Sequence, residues 1–144
     1  DQLVNAYDNS IVETDHFLNS VIQWLEAKEG HADTAMVYVA DHGESLGENG
    51  IYLHGMPYSI APDVQKHVPW VTWLSPSMQT RTGISTGCLQ QNMRDKRISH
   101  DSYFHSVLGL LDVQTGLHQL ALDVYADCAA ATSASASKKM PLPG

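Results

Sequence analysis

Apolar and small residues recur at helical spacing through the first part of the chain, at Leu3, Ala6, Tyr7, Ile11, Thr14, Phe17, Leu18, Val21, Ile22 and Leu25. Residues three and four apart share one side of an α-helix, so this pattern predicts a long amphipathic helix from Gln2 to about Lys28. Asp1 can cap its start or lie in an earlier turn, and Gly30 in KEGHAD is a stop signal. Tyr7, Asp8 and Trp24 suit a helix that covers a core better than they suit a site.

The period then changes. TAMVYVA (34–40) is short, rich in β-branched and aromatic residues and apolar at every alternation, which predicts a central strand covered on both faces. HVPWVTWLS (67–75) is a second such run, with Pro69 better placed at a strand start than in its middle. SPSMQTRTGISTG reads as a polar, turn-rich connection. Ser99 is a good N-cap for a second amphipathic helix, SYFHSVLGLLDV, with Tyr103, Phe104, Val107, Leu108 and Leu111 on its apolar face. The order helix, strand, loop, strand, helix predicts an α/β fold with a mostly parallel sheet covered by helices on both faces. Periodicity is lost in AAATSASASKKMPLPG, so residues 129–144 are expected to be a flexible low-complexity tail behind a folded part, 1–128.

A chain of 144 residues with 43% hydrophobic content can bury one domain core. Its formal net charge of −8 and lack of a basic patch argue against nucleic acid as a partner, because phosphate neutralisation needs clustered Lys and Arg. No apolar run approaches the roughly 20 residues that cross a bilayer. The start, DQLVNAYDN, has neither an initiator Met nor a signal-like segment, and is expected to continue something longer. Cys88 and Cys128 form no CxxC framework; buried thiols and a disulfide both fit.

Chemistry concentrates in VYVADHGESLGENGIYLHGMP (37–57), directly behind the first strand. In open α/β sheets ligands gather outside the carboxyl ends of strands, which is where Asp41 and His42 fall. A carboxylate beside an imidazole suits zinc, and the two can share one ion if the backbone turns between them, which Gly43 makes inexpensive. The glycine-rich excursion through Gly47 and Gly50 can fold back to bring His54 beside the first imidazole, as a ligand or as a donor to a phosphoryl oxygen. Glu44 and Glu48 are available to orient an imidazole through its other nitrogen. Against this, a lone Asp-His pair is more often a turn with a solvated histidine, and Glu48-Asn49-Gly50 fits ordinary turn chemistry. His16, His31, His67, His105 and His118 show no partner pattern, while His100 and Asp101 follow a helix cap.

The string ADHGESLGENGIYLHGMPYSIAP closely resembles the signature segment of bacterial phosphoethanolamine transferases that modify lipid A, including the mobilised colistin resistance proteins, in the alkaline phosphatase and sulfatase superfamily. QLVNAYDNSIVETDHFL, VPWVTWLS and SHDSYFHSVLGLLDV resemble the flanking helix, strand and C-terminal helix of that family. The resemblance implies a sulfatase-like C-terminal fragment of a periplasmic catalytic domain, tethered to the bacterial inner membrane by N-terminal helices. It implies zinc held by Asp41 and His42, His54 as a catalytic and substrate-binding histidine near the phosphoryl group, and Glu44 in a supporting position. It implies phosphatidylethanolamine as donor, lipid A as acceptor, and polymyxin resistance as the consequence of the modification. In an oxidising periplasm, a Cys88–Cys128 disulfide is expected.

The family's nucleophilic threonine and glutamate zinc ligand lie upstream of the matched segment. None of Thr14, Thr34, Thr72, Thr80, Thr82, Thr86, Thr115 or Thr132 sits in the motif that carries the nucleophile. The chain alone is therefore expected to be inactive and, with unpaired strand edges, prone to aggregate. A phosphoglycerol transferase or sulfatase-type hydrolase would use the same Asp-His-Gly start, and a non-catalytic metal-binding module is the alternative of a different class.

Overall fold

The computed structural model of the chain describes residues 2–129, which form two compact units, one ending at Met78 and one beginning at Gln79. Asp1 and the tail beyond Ala129 lie outside the described residues.

The first helical pattern becomes α1, Gln2–Glu26, and the chain leaves it through turns that contain Gly30. Tyr7, Thr14, Leu18, Val21, Ile22 and Leu25 are half-buried along one stripe, and the helix packs on the first strand. No residue of α1 is fully buried, and Leu3, Val12, Phe17 and Trp24 are exposed. The core-covering role expected of Tyr7, Asp8 and Trp24 therefore holds only in part for Tyr7. Trp24 instead lies beneath the Lys28 ammonium, 5.1 Å from its ring centroid.

The two β-rich runs become β1, Ala35–Val39, and, later in the chain, Trp70–Leu74. These two strands pair antiparallel, with Ala35 opposite Leu74 and Val39 opposite Trp70. The α/β class stands, but the expected parallel direction does not apply to this pairing. The chain between the two strands contains only a hairpin and one helical turn, so it returns to the end it left, whereas a parallel neighbour needs a crossover. Nor is β1 a central strand among the described residues, where this sheet has two strands and only Met36 of β1 is buried. Pro69 stands just before the later strand as expected, its carbonyl accepting from Ala40 N at 3.4 Å.

Between them, β2 (Ser45–Leu46) and β3 (Tyr52–Leu53) form a short hairpin around a 3-10 turn, Glu48–Gly50. A single turn, α2 (Asp63–Lys66), then leads into the strand Trp70–Leu74, which is β4.

The segment expected to be a turn-rich connection folds instead into two helices, α3 (Pro76–Thr82) and α4 (Thr86–Asp95). Each start is capped by a serine: Ser75 Oγ accepts from Met78 N at 3.1 Å, and Ser85 Oγ from Cys88 N at 3.3 Å. Ser75 is fully buried and also accepts from Thr34 N, at 3.1 Å, joining the start of β1 to the end of β4.

In the second unit, α5 (Asp101–Leu110) begins beside Ser99, whose hydroxyl accepts from Asp101 N at 3.3 Å. Its buried face is Ser102, His105, Ser106 and Leu110; of the predicted apolar face Val107 and Leu108 are half-buried, while Tyr103, Phe104 and Leu111 are exposed. Two of these polar side chains satisfy backbone groups of the returning segment. Ser106 Oγ accepts from Val124 N at 2.9 Å, and His105 Nδ1 from Gln119 N at 3.1 Å. Gly109 faces the Asp123 carboxylate so closely that a Cβ there would lie 1.9 Å from Oδ2. Asp123 in turn accepts from His118 Nε2 at 3.0 Å and from Tyr125 N at 2.8 Å. A disulfide between Cys88 and Cys128, 40 positions apart, ties the end of this segment to α4.

Candidate metal centre

The site lies wholly in the first unit and is built on the backbone that follows β1. After Val39 the chain passes Ala40 and turns through Asp41, His42 and Gly43. Gly43 is required by proximity: its N–H donates to Gln65 O at 3.0 Å, and a Cβ would meet Val64 O at 1.9 Å. The glycine expected to ease a turn thus serves to let two backbone segments touch.

His42 N donates to the Asp41 carboxylate at 3.0 Å, and this bond holds the Asp41 carboxyl below its ordinary titration range. The Asp41 side chain is otherwise exposed, with Oδ2 3.5 Å from His42 Nε2. His42 Nδ1 lies 3.1 Å from Gly43 O. A carbonyl can only accept, so this contact favours the tautomer with the proton on Nδ1, which leaves Nε2, beside Asp41, open to a metal.

The hairpin returns His54 to the same place. Its ring centroid is 3.8 Å from that of His42, and its Nδ1 is 2.7 Å from Glu44 Oε1. The same tautomer argument leaves His54 Nε2 for a ligand. The other Glu44 oxygen, Oε2, is buried with no hydrogen-bond partner. Leu53, immediately before His54, has φ 63, a left-handed conformation costly for a branched side chain.

His42, Glu44 and His54 each offer a donor atom within 4.8 Å of the others, the metal-type grouping among the described residues. The structure therefore brings together three of the four residues singled out in the sequence and leaves Asp41 at their edge, in reach of His42. Two imidazole nitrogens and a carboxylate with an unsatisfied buried oxygen are a donor set that fits zinc.

A cavity of about 250 Å³ opens beside the trio, lined by His42, His54, Gly55, Met56, Tyr58, Ala61, Gln65 and Lys66. Lys66 Nζ pairs with Asp63 Oδ1 at 3.1 Å and sits over the Tyr58 ring at 5.4 Å, which places one cation at the cavity wall. Gln65, Tyr58 and Lys66 were not singled out from sequence. A glutamine in a polar turn carries no local signal, and only the fold brings it to the site.

Among the described residues no helix is long and apolar enough to cross a membrane. A model of the Sulfatase family matches residues 1–113. The phosphoethanolamine transferase EptA of Salmonella typhimurium is 46% identical over 128 residues, covering 89% of this chain and 23% of that protein. The phosphatidylethanolamine transferase Mcr-1 of Escherichia coli is 44% identical over 111 residues, covering 77% of this chain and 19% of that protein. The chain thus spans less than a quarter of the length of these curated relatives. The soluble domain of lipooligosaccharide phosphoethanolamine transferase A from Neisseria meningitidis superposes with a TM-score of 0.85 at 43% identity, over 89% of this chain and 38% of that one.

Proposed function

The chain belongs to the sulfatase family, and from that premise we propose that residues 1–128 are the C-terminal part of the catalytic domain of a zinc-dependent phosphoethanolamine transferase. In this reading phosphatidylethanolamine is the donor and lipid A the acceptor. The domain lies in the bacterial periplasm, anchored to the inner membrane by helices outside these residues, and the modification gives polymyxin resistance. The nucleophile is a hydroxyl supplied from elsewhere in the protein.

The observation that carries the proposal is the convergence of His42, Glu44 and His54, with Asp41 beside His42. Asp41 and His42 hold the zinc, His42 through Nε2. When bound, zinc supplies a Lewis acid that lowers the pKa of a hydroxyl and offsets charge on a phosphoryl group. Glu44 accepts the Nδ1 proton of His54 and so fixes that ring with Nε2 toward the ligand. His54 donates from Nε2 to a phosphoryl oxygen when protonated there, and Lys66 adds a positive charge along the same cavity. A second reading, in which Glu44 and His54 are themselves ligands, is favoured by the closeness of the three donor atoms and by the unpartnered Glu44 Oε2.

The test is the mass spectrum of lipid A from cells making the intact protein, beside cells making Asp41→Ala or His54→Ala. A phosphoethanolamine adduct with the parent and none with either variant is expected. No adduct from the folded, expressed parent would point to another acceptor or to a hydrolase.

A further inference from the structure

We propose that Gln65 is the positioning residue of this site, setting the spacing of His42, Glu44 and His54 without touching substrate chemistry itself; this rests on the reading above in which Glu44 and His54 are ligands. Gln65 is 6% exposed, and three of its hydrogen bonds, one from its backbone and two from its side chain, end on neighbours of site residues. Its backbone carbonyl accepts from Gly43 N at 3.0 Å, between His42 and Glu44. Its Nε2 donates to Ser45 Oγ at 2.8 Å, directly after Glu44, and to Leu53 O at 3.0 Å, directly before His54.

The side-chain chemistry is specific. A primary amide nitrogen has two hydrogens, and Gln65 uses one on each strand of the hairpin. Glutamate has the same shape but presents acceptors to the Leu53 carbonyl, and leucine offers nothing. Asparagine is one methylene too short to keep both reaches. Ser45 is itself 1% exposed, so its hydroxyl has no water to replace the glutamine. The bond to Leu53 O falls on a residue held at φ 63, and a strained backbone persists only where its surroundings over-determine it. Releasing Leu53 would let the ring of His54 leave Glu44 and His42.

The experiment uses the intact protein and measures zinc affinity by chelator competition, together with the visible spectrum of the cobalt-substituted protein, for Gln65→Glu, Ser45→Ala and the reference variant His54→Ala. Loss of a partner that orients metal ligands typically costs about 10–100-fold in affinity. Gln65→Glu is expected to lie in that range with an altered cobalt spectrum, and Ser45→Ala, which spares the Leu53 bond, to show the same change in smaller measure. Should Gln65→Glu fail to fold, the Ser45→Ala spectrum decides. If His54→Ala weakens binding while both clamp variants leave affinity and spectrum unchanged, the role of Gln65 is overturned and the metal site stands. A lowered metal-free thermal midpoint with unaltered affinity and spectrum would overturn it too, since Gln65 would then be structural only. If His54→Ala also leaves zinc binding unchanged, the reading with His54 as a ligand fails and the proposal falls with it, while zinc on Asp41 and His42 is untouched.

Discussion

Each unit of the molecule holds a histidine against a carboxylate, and the two pairs differ in what surrounds them. His118 and Asp123 meet at 3.0 Å with side chains 17% and 3% exposed, and Asp123 spends its other oxygen on Tyr125 N. His54 and Glu44 meet at 2.7 Å with side chains 49% and 25% exposed, and Glu44 keeps a buried oxygen with no partner. The first pair is saturated, so it can only hold a segment in place. The second is open on one side and unsatisfied on another, which is the condition for binding something. A histidine–carboxylate distance alone does not separate structure from chemistry; the remaining lone pairs do.

The comparison breaks most visibly at Asp123. Asp123→Ala removes the acceptor of two buried donors and opens a gap beside Gly109, so a loss of about 3–5 kcal/mol is expected in denaturant unfolding. Zinc retention by the protein that remains folded should not change. Reduction of the Cys88–Cys128 disulfide comes next: a closed loop of 40 residues corresponds to about 4 kcal/mol of unfolded-state entropy, and measured values commonly fall nearer 2–4 kcal/mol. Thermal melts with and without reductant would show it. The smallest stability effect is expected at Glu44→Gln, within about 1 kcal/mol because its partner is solvent-accessible. Yet in the reading with Glu44 as a ligand this variant should lose zinc in a dialysis assay, and a variant that kept its metal while losing several kcal/mol would erase the distinction between the two pairs.

Periodicity made α1, β1, β4 and the existence of α5 legible, and side-chain type together with strand-end position pointed to Asp41, His42, Glu44 and His54, of which the fold groups the last three. What was lost followed physical rules that compete with those signals. α3 and α4 are short and polar, so turn composition outweighed their serine caps, although Ser75-Pro76 is a helix-start signature in its own right. Part of the buried face of α5 was missed because His105 and Ser106 are buried to accept from backbone amides, a demand that hydrophobicity does not register. Gln65 reaches partners 12 and 20 positions away, so nothing local marks it. The antiparallel direction of β1 and β4 likewise depended on how an irregular excursion closes on itself.

Ser75 has a kinetic meaning as well. One buried hydroxyl receives the amide protons of Thr34, at the mouth of β1, and of Met78, in the first turn of α3. Neither amide can meet solvent catalyst while that oxygen stays in place. Their hydrogen-exchange clocks are therefore coupled, and a strand edge and a helix start distant in sequence open as one event.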